Sequence, residues 1–285
     1  MPYVIHDRKY HFSSIFDPKT GAYVRTGIIE DGKDTGIDPF MASFPHLIDV
    51  GVMGHCIHGK TGLCVKAGIG CYQSGLTVDE PNMAVDEFRW IAEQCRHKTN
   101  QFALGGRGDP DQHEHFEDLL RICRDNDIVP NFTTSGYGMT PEIAALCKKY
   151  CGAVAVSWYR SDYTLRAIRM LLDAGVKTNI HYVLGKNTID EALDRLGAAD
   201  FPIGINGIVF LLHKPAGLGS QTNVLSDDDP RVAEFFRYVD CGSTRYKVGV
   251  DSCTVPGIVN HCRRVTPQSL DTCEGGVFLA ILALI

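Results

Sequence analysis

The chain has 285 residues, 44% hydrophobic and 22% charged, enough to bury one sizeable core. A formal net charge of -6 and a pI near 6.0 provide no chain-wide attraction to phosphate backbones, so nucleic acid is unsupported as a partner. The amino-terminal MPYVIHDRKYHF carries charges where a secretory signal needs an apolar stretch, and no run approaches the roughly 18 apolar residues of a membrane span; the expected compartment is the cytoplasm.

In chain order, residues 10–28 read as an antiparallel hairpin around Asp17-Pro18-Lys19-Thr20-Gly21, and the polar, glycine-rich 30–40 as a linker. From His46 onward, short apolar runs alternate with amphipathic stretches: HLIDVGVM with VDEFRWIAEQCR, QFALGG with HFEDLLRICRD, and IVPNFTTS with PEIAALCKKY. The series continues with AVAVSW and TLRAIRMLLDAG, KTNIHYVLG and IDEALDRLGA, then GIVFLLHK and DPRVAEFFRYVD. Six β-then-α units predict a parallel sheet whose strands, covered on both faces, are nearly continuous in apolar residues. Their spacing suits a partial barrel or a doubly wound sheet, and in either the chemistry belongs at the carboxyl ends of the strands. The expected organisation is a hairpin and linker over 1–44, a barrel over 45–240 and an extension over 241–285. The run Asp227-Asp228-Asp229 before Pro230 reads as a helix start.

Eleven cysteines are many for a reducing compartment, where disulfides rarely persist, so some thiols are expected to bind metal. After the first strand, GHCIHGKTGLCVKAGIGCYQSG places Cys56, Cys64 and Cys71 at the expected catalytic mouth. Glycines between them let backbone approach an inorganic core, and three thiolates suit a 4Fe-4S cluster with one iron left open. His55 and His58 beside Cys56 keep zinc in play, because mixed Cys/His sets are ordinary zinc ligands. Cys95, Cys123, Cys147 and Cys151 fall within or at the ends of predicted helices, where cysteine acts as a small buried hydrophobe.

The cysteines after the first strand, Gly105-Gly106-Arg107-Gly108-Asp109-Pro110 after the second, and VFLLHKPAGLG in the sixth unit together resemble the radical S-adenosylmethionine (radical SAM) superfamily over about residues 45–240. The family's C-x3-C-x2-C signature is replaced here by C-x7-C-x6-C. The resemblance implies a partial (βα)6 TIM-like barrel holding a 4Fe-4S cluster and S-adenosyl-L-methionine. In the Gly-Gly-Glu element that meets the amino group of SAM, Gly105 and Gly106 match and Asp109 stands for the acid. The resemblance further implies Ser157 and His181, at the ends of strands four and five, and Ser135 after strand three, as contacts to ribose or methionine carboxylate. Tyr72, beside the third cysteine, would pack on the adenine.

The chemistry implied is reduction by ferredoxin or flavodoxin, cleavage of SAM to a 5′-deoxyadenosyl radical, and hydrogen abstraction from a substrate held in the barrel. Beyond the barrel, Cys241, Cys253, Cys262 and Cys273 resemble the start of a SPASM extension, found in relatives that act on peptides or proteins. Cys253, Cys262 and Cys273 would then be an auxiliary cluster site, although the chain stops at VFLAILALI without the further cysteines of such a domain, an end that reads as truncated or frame-altered. Two other readings are a zinc-dependent barrel hydrolase or lyase, and a truncated barrel that binds SAM without catalysis.

Overall fold

The computed structural model describes residues 1–73, 78–242, 245–265 and 273–282. At the amino end, β1 (Tyr3–Asp7), β2 (Phe12–Phe16) and β3 (Tyr23–Arg25) form a three-stranded antiparallel sheet, with Phe16 opposite both Tyr3 and Tyr23. The β2–β3 turn is the predicted one: Gly21 donates its N–H to the Asp17 carbonyl (2.8 Å), and the Asp17 carboxylate accepts from the Lys19 N–H and the Thr20 hydroxyl. The expected linker contains its own short hairpin, β4 (Ile29–Glu30) and β5 (Lys33–Asp34). Asp31 and Gly32 both have positive φ, 48° and 74°, as a two-residue turn between twisted strands requires.

The core is an eight-stranded parallel sheet curved into a half-barrel. Its strands are β6 (Leu47–Met53), β7 (Gln101–Gly106), β8 (Val129–Thr134), β9 (Val154–Ser157), β10 (Thr178–Leu184), β11 (Gly207–Leu212), β12 (Val248–Val250) and β13 (Leu279–Leu282). They lie in the order β12-β11-β10-β9-β8-β7-β6-β13. The six expected units are β6 to β11, each with its helix. Two edge strands come from the segment read as an extension: β12 pairs with β11, and β13 pairs with β6 through Leu279 opposite Leu47.

Two short helical segments, α1 (Ile57–Thr61) and α2 (Leu63–Lys66), follow β6. The layer that covers the sheet comprises α3 (Val85–Cys95), α4 (Phe116–Asp125), α5 (Pro141–Tyr150), α6 (Asp162–Asp173), α7 (Ile189–Ala198) and α8 (Pro230–Cys241). The Asp229 side chain accepts from the Arg231 N–H with Pro230 in the first turn, so the acidic run does start a helix. Cys95, Cys123 and Cys147 are buried in this layer, as expected.

The strands are not continuously apolar. Ile48, Val50 and Val52, Phe102 and Leu104, and Ile180, Tyr182 and Leu184 are buried against the helices. Between them, Asp49 and Gly51, Gln101 and Ala103, Asn131 and Thr133, and Asn179 and His181 face the other way and are half-buried. Only the helix-covered face is a packed core; the inner wall of an unclosed barrel borders a cavity, so it tolerates polar and small residues. No helix among the described residues is long and apolar enough to cross a membrane.

Candidate functional site

The cysteine loop leaves β6 at Met53 and immediately needs glycine: a Cβ on Gly54 would stand 2.0 Å from the Pro81 carbonyl oxygen. The expected glycine-rich loop contains α1 and α2, joined at Gly62, whose φ of 66° breaks the helical path. Cys56 immediately precedes α1 and is buried; Cys64 lies in α2 and Cys71 at the loop's end, both half-buried. Burial pushes the Cys64 thiol up to about 11, and the neighbouring Cys56, Cys71 and Asp109 add to this, while a hydrogen bond with Tyr159 opposes it. Cys56 and Cys71 thus lie close enough to Cys64 to act on it at the carboxyl ends of the strands. Among the described residues no three His, Cys, Asp or Glu side chains stand in metal-ligating array, so the thiols share a mouth without forming a closed ligand set. Soft sulfur donors gathered in one loop fit an iron–sulfur core, whose binding displaces the thiol protons.

A buried polar knot holds the loop to the barrel. The Ser135 backbone N–H donates to Asp109 Oδ1 (2.9 Å) and its hydroxyl to Oδ2 (2.5 Å). His58 Nε2, from α1, lies 3.0 Å from the same Oδ2 and 2.5 Å from Ser135 Oγ. One carboxylate thus ties together the cysteine loop, the turn after β7 and the loop after β8. The turn itself lies on the loop's root: Cβ atoms on Gly106 and Gly108 would stand 2.5 Å from the Met53 carbonyl oxygen and 2.4 Å from that of His55. Gly105 is different, with nothing within 4 Å of its Cβ position. Behind the turn, Asp111 is buried with Oδ1 lacking a hydrogen-bond partner, and burial followed by the Asp109 charge raises its carboxyl to about 6.

The loop after β9 supplies residues to which the sequence drew no attention. The Tyr159 phenol sits between Ser157 and Cys64, and burial raises it well above the usual tyrosine range. Arg160 donates to the Ala67 carbonyl at the end of α2 (2.8 Å) and pairs with Glu191, which also accepts from Trp158 Nε1 (3.1 Å). A polar Trp-Tyr-Arg run at the carboxyl end of a strand was the available signal. The loop after β11 clasps the third cysteine: the Leu218 N–H donates to the Cys71 carbonyl (2.8 Å), and a Cβ on Gly217 would fall 2.6 Å from the Tyr72 carbonyl oxygen.

The structure brings Cys56, Cys64, Cys71, Asp109, Ser135 and Ser157 to one mouth, with Gly105 and Gly106 beside them. Tyr72 is 59% exposed, with the Lys214 ammonium 5.9 Å from its ring centroid. His181 lies deeper, on the inner wall, with Nδ1 3.2 Å from Thr133 Oγ1, and burial pushes its pKa down to about 4. It borders a cavity of about 370 Å³ whose floor is the β2–β3 turn, through Pro18, Thr20 and Gly21. Of the tail thiols, Cys241, Cys253 and Cys273 are exposed and Cys262 contacts the Phe236 carbonyl at 3.7 Å, and among the described residues they form no metal-ligating group.

Several solved structures share this fold. Streptococcus suis SuiB bound to precursor peptide SuiA aligns over 88% of this chain and 73% of its own, at 12% identity and a TM-score of 0.61. SuiB bound to S-adenosylmethionine aligns over 74% of this chain and 51% of its own, at 14% identity and a TM-score of 0.54. Native anSMEcpe with bound AdoMet and Cp18Cys peptide aligns over 72% and 63%, at 16% identity and a TM-score of 0.53. At such identities the likeness is one of fold. No protein-family model and no curated protein matches the sequence.

Proposed function

We propose that the chain is a radical SAM enzyme of the cytoplasm that acts on a peptide or protein and receives electrons from ferredoxin or flavodoxin. The observation that carries this reading is the placing of three thiols, Cys56, Cys64 and Cys71, in one loop at the carboxyl-end mouth of a parallel half-barrel. Neighbours of the same fold bind S-adenosylmethionine and peptides, which supports both halves of the reading. In this proposal the three cysteines would hold a 4Fe-4S cluster, which together with bound SAM would supply one-electron reductive chemistry for hydrogen abstraction from the substrate.

The chain's own residues orient and exclude. Gly105, with open space before it, lets the methionine end of SAM approach the backbone, and Asp109 beside it provides negative charge for the ammonium while its oxygens anchor Ser135 and His58. Ser157 and Tyr159 offer hydroxyls to the nucleoside side, Tyr72 a ring face, and His181 a neutral imidazole deeper in the barrel.

The test is iron and sulfide content after anaerobic reconstitution, with electron paramagnetic resonance of the dithionite-reduced protein with and without SAM. A 4Fe-4S signal that SAM perturbs, and that is lost in Cys56→Ala, Cys64→Ala and Cys71→Ala, is the expected result. Stoichiometric zinc without iron overturns the reading.

A further inference from the structure

The polar knot leaves one atom unanswered. His58 is 3% exposed, and its Nδ1 is buried without a hydrogen-bond partner. The other ring nitrogen fixes the tautomer. Asp109 Oδ2, 3.0 Å from Nε2, is a carboxylate oxygen that only accepts, and Ser135 Oγ, 2.5 Å from Nε2, has spent its one hydrogen on that same Oδ2. Nε2 therefore carries the hydrogen, and Nδ1 of the neutral ring holds a bare lone pair. A buried acceptor that meets no donor is costly, and an imidazole whose other nitrogen donates to a carboxylate is the usual form of a metal-ligating histidine.

The ring lies among the thiols' own neighbours. His58 is the second residue of α1, two after Cys56, and it meets the Tyr159 ring edge-on with centroids 6.4 Å apart. Tyr159 is in turn hydrogen-bonded to Cys64, and Asp109, on the Nε2 side, is close enough to act on that thiol. Tyr137 packs edge-on at 5.5 Å. These neighbours leave Nδ1 to a group that the chain itself does not supply. A four-iron core takes one ligand on each iron, so its ligands need no single-ion array, and among the described residues there is none. Three thiolates leave one iron over, and imidazole is a ready nitrogen donor to iron.

We infer that His58 is a fourth protein ligand of the cluster while SAM is absent: its Nδ1 occupies the iron that Cys56, Cys64 and Cys71 leave open, and gives it up when SAM binds. The inference rests on the proposed radical SAM function and assigns the residue that guards its open iron. The exchange transfers no electron and breaks no organic bond, because the imidazole leaves neutral with its own lone pair and the entering SAM donor brings another. Nε2 stays on Asp109 throughout, so the ring is held ready to return.

The test uses the full chain made with heavy-nitrogen histidine, reconstituted anaerobically and reduced with dithionite. Pulsed electron paramagnetic resonance then reads nitrogen coupling to the cluster with and without unlabelled SAM. A directly bonded histidine nitrogen is expected in the SAM-free protein and is expected to vanish at saturating SAM. It is expected to be lost in His58→Gln and kept in His55→Gln, which removes the other imidazole of the loop. Should His58→Gln hold no cluster, His55→Gln decides between the two rings: coupling kept supports the assignment, coupling lost overturns it. No histidine coupling in the SAM-free protein, a coupling unchanged by saturating SAM, or one that survives in His58→Gln also overturns the inference. A cluster signal that SAM perturbs, with no histidine nitrogen coupled to it, defeats this inference and leaves the radical SAM reading standing. Absence of any 4Fe-4S signal defeats that reading, and this inference with it.

Discussion

Replacing Ser135 by alanine isolates the knot that fastens the cysteine loop. The hydroxyl is buried, donates to Asp109 Oδ2 at 2.5 Å and accepts from the Tyr137 N–H at 3.1 Å. A hydrogen bond to a charged acceptor contributes about 1.5–3 kcal/mol and a neutral one about 1 kcal/mol, so deletion costs roughly 3 kcal/mol with both partners left short. With an unfolding entropy of about 2.1 cal/mol/K per residue over a chain of this length, that loss lowers Tm by about 5 °C. The assay is thermal unfolding of the metal-free protein followed by circular dichroism, paired with limited proteolysis across residues 54–73. If the knot has the role described, Tm falls and cleavage in the cysteine loop accelerates in the absence of any ligand. A melt within about 1 °C of the parent, with SAM binding alone impaired, refutes the structural role and leaves Ser135 as a ligand contact only.

Two glycines separate scaffold from site. Gly105→Ala meets nothing within 4 Å, so stability is expected to hold while SAM affinity, measured by equilibrium dialysis, drops about tenfold through lost space; Gly54→Ala, 2.0 Å from a carbonyl oxygen, is expected to prevent soluble expression. Tyr182→Phe removes a buried hydroxyl that donates to the Thr188 carbonyl (2.6 Å) and lies 3.1 Å from Glu191 Oε2, with an expected cost of about 1–3 kcal/mol in urea unfolding. His46, bonded to the Tyr23 hydroxyl, and His181 are both pushed by burial to about 4, with Asp7 opposing and Arg25 adding to the shift at His46. Because these folded-state values lie below the unfolded value of about 6.5, the unfolded chain takes up protons first on acidification. Their contribution is complete above about pH 6.5 and is lost as the pH falls through 4, so His46→Gln with His181→Asn should flatten the urea midpoint between pH 6.5 and 4.5 relative to the parent.

The features readable in the sequence are those generated by neighbours along the chain. Six alternations of apolar run and amphipathic helix, the Asp17–Gly21 turn and the Asp229-Pro230 helix start depend on local propensity and short-range hydrogen bonds, and all are present. Continuous apolar strands were expected from a sheet covered on both sides, but an incomplete barrel has a bare inner wall, and Asn131, Asn179 and His181 occupy it.

The order of strands, helices and chemistry-bearing loops was therefore determined by the sequence alone, since turn chemistry and hydrophobic period act within a few residues. Tertiary structure decided which distant groups meet. His58, Asp109 and Ser135 come from three loops spanning 77 residues, and Leu279 joins Leu47 from the far end of the chain. Such meetings follow from the curvature of one sheet, a global constraint that no local pattern encodes, and they bring the three thiols and the open face of Gly105 to one mouth.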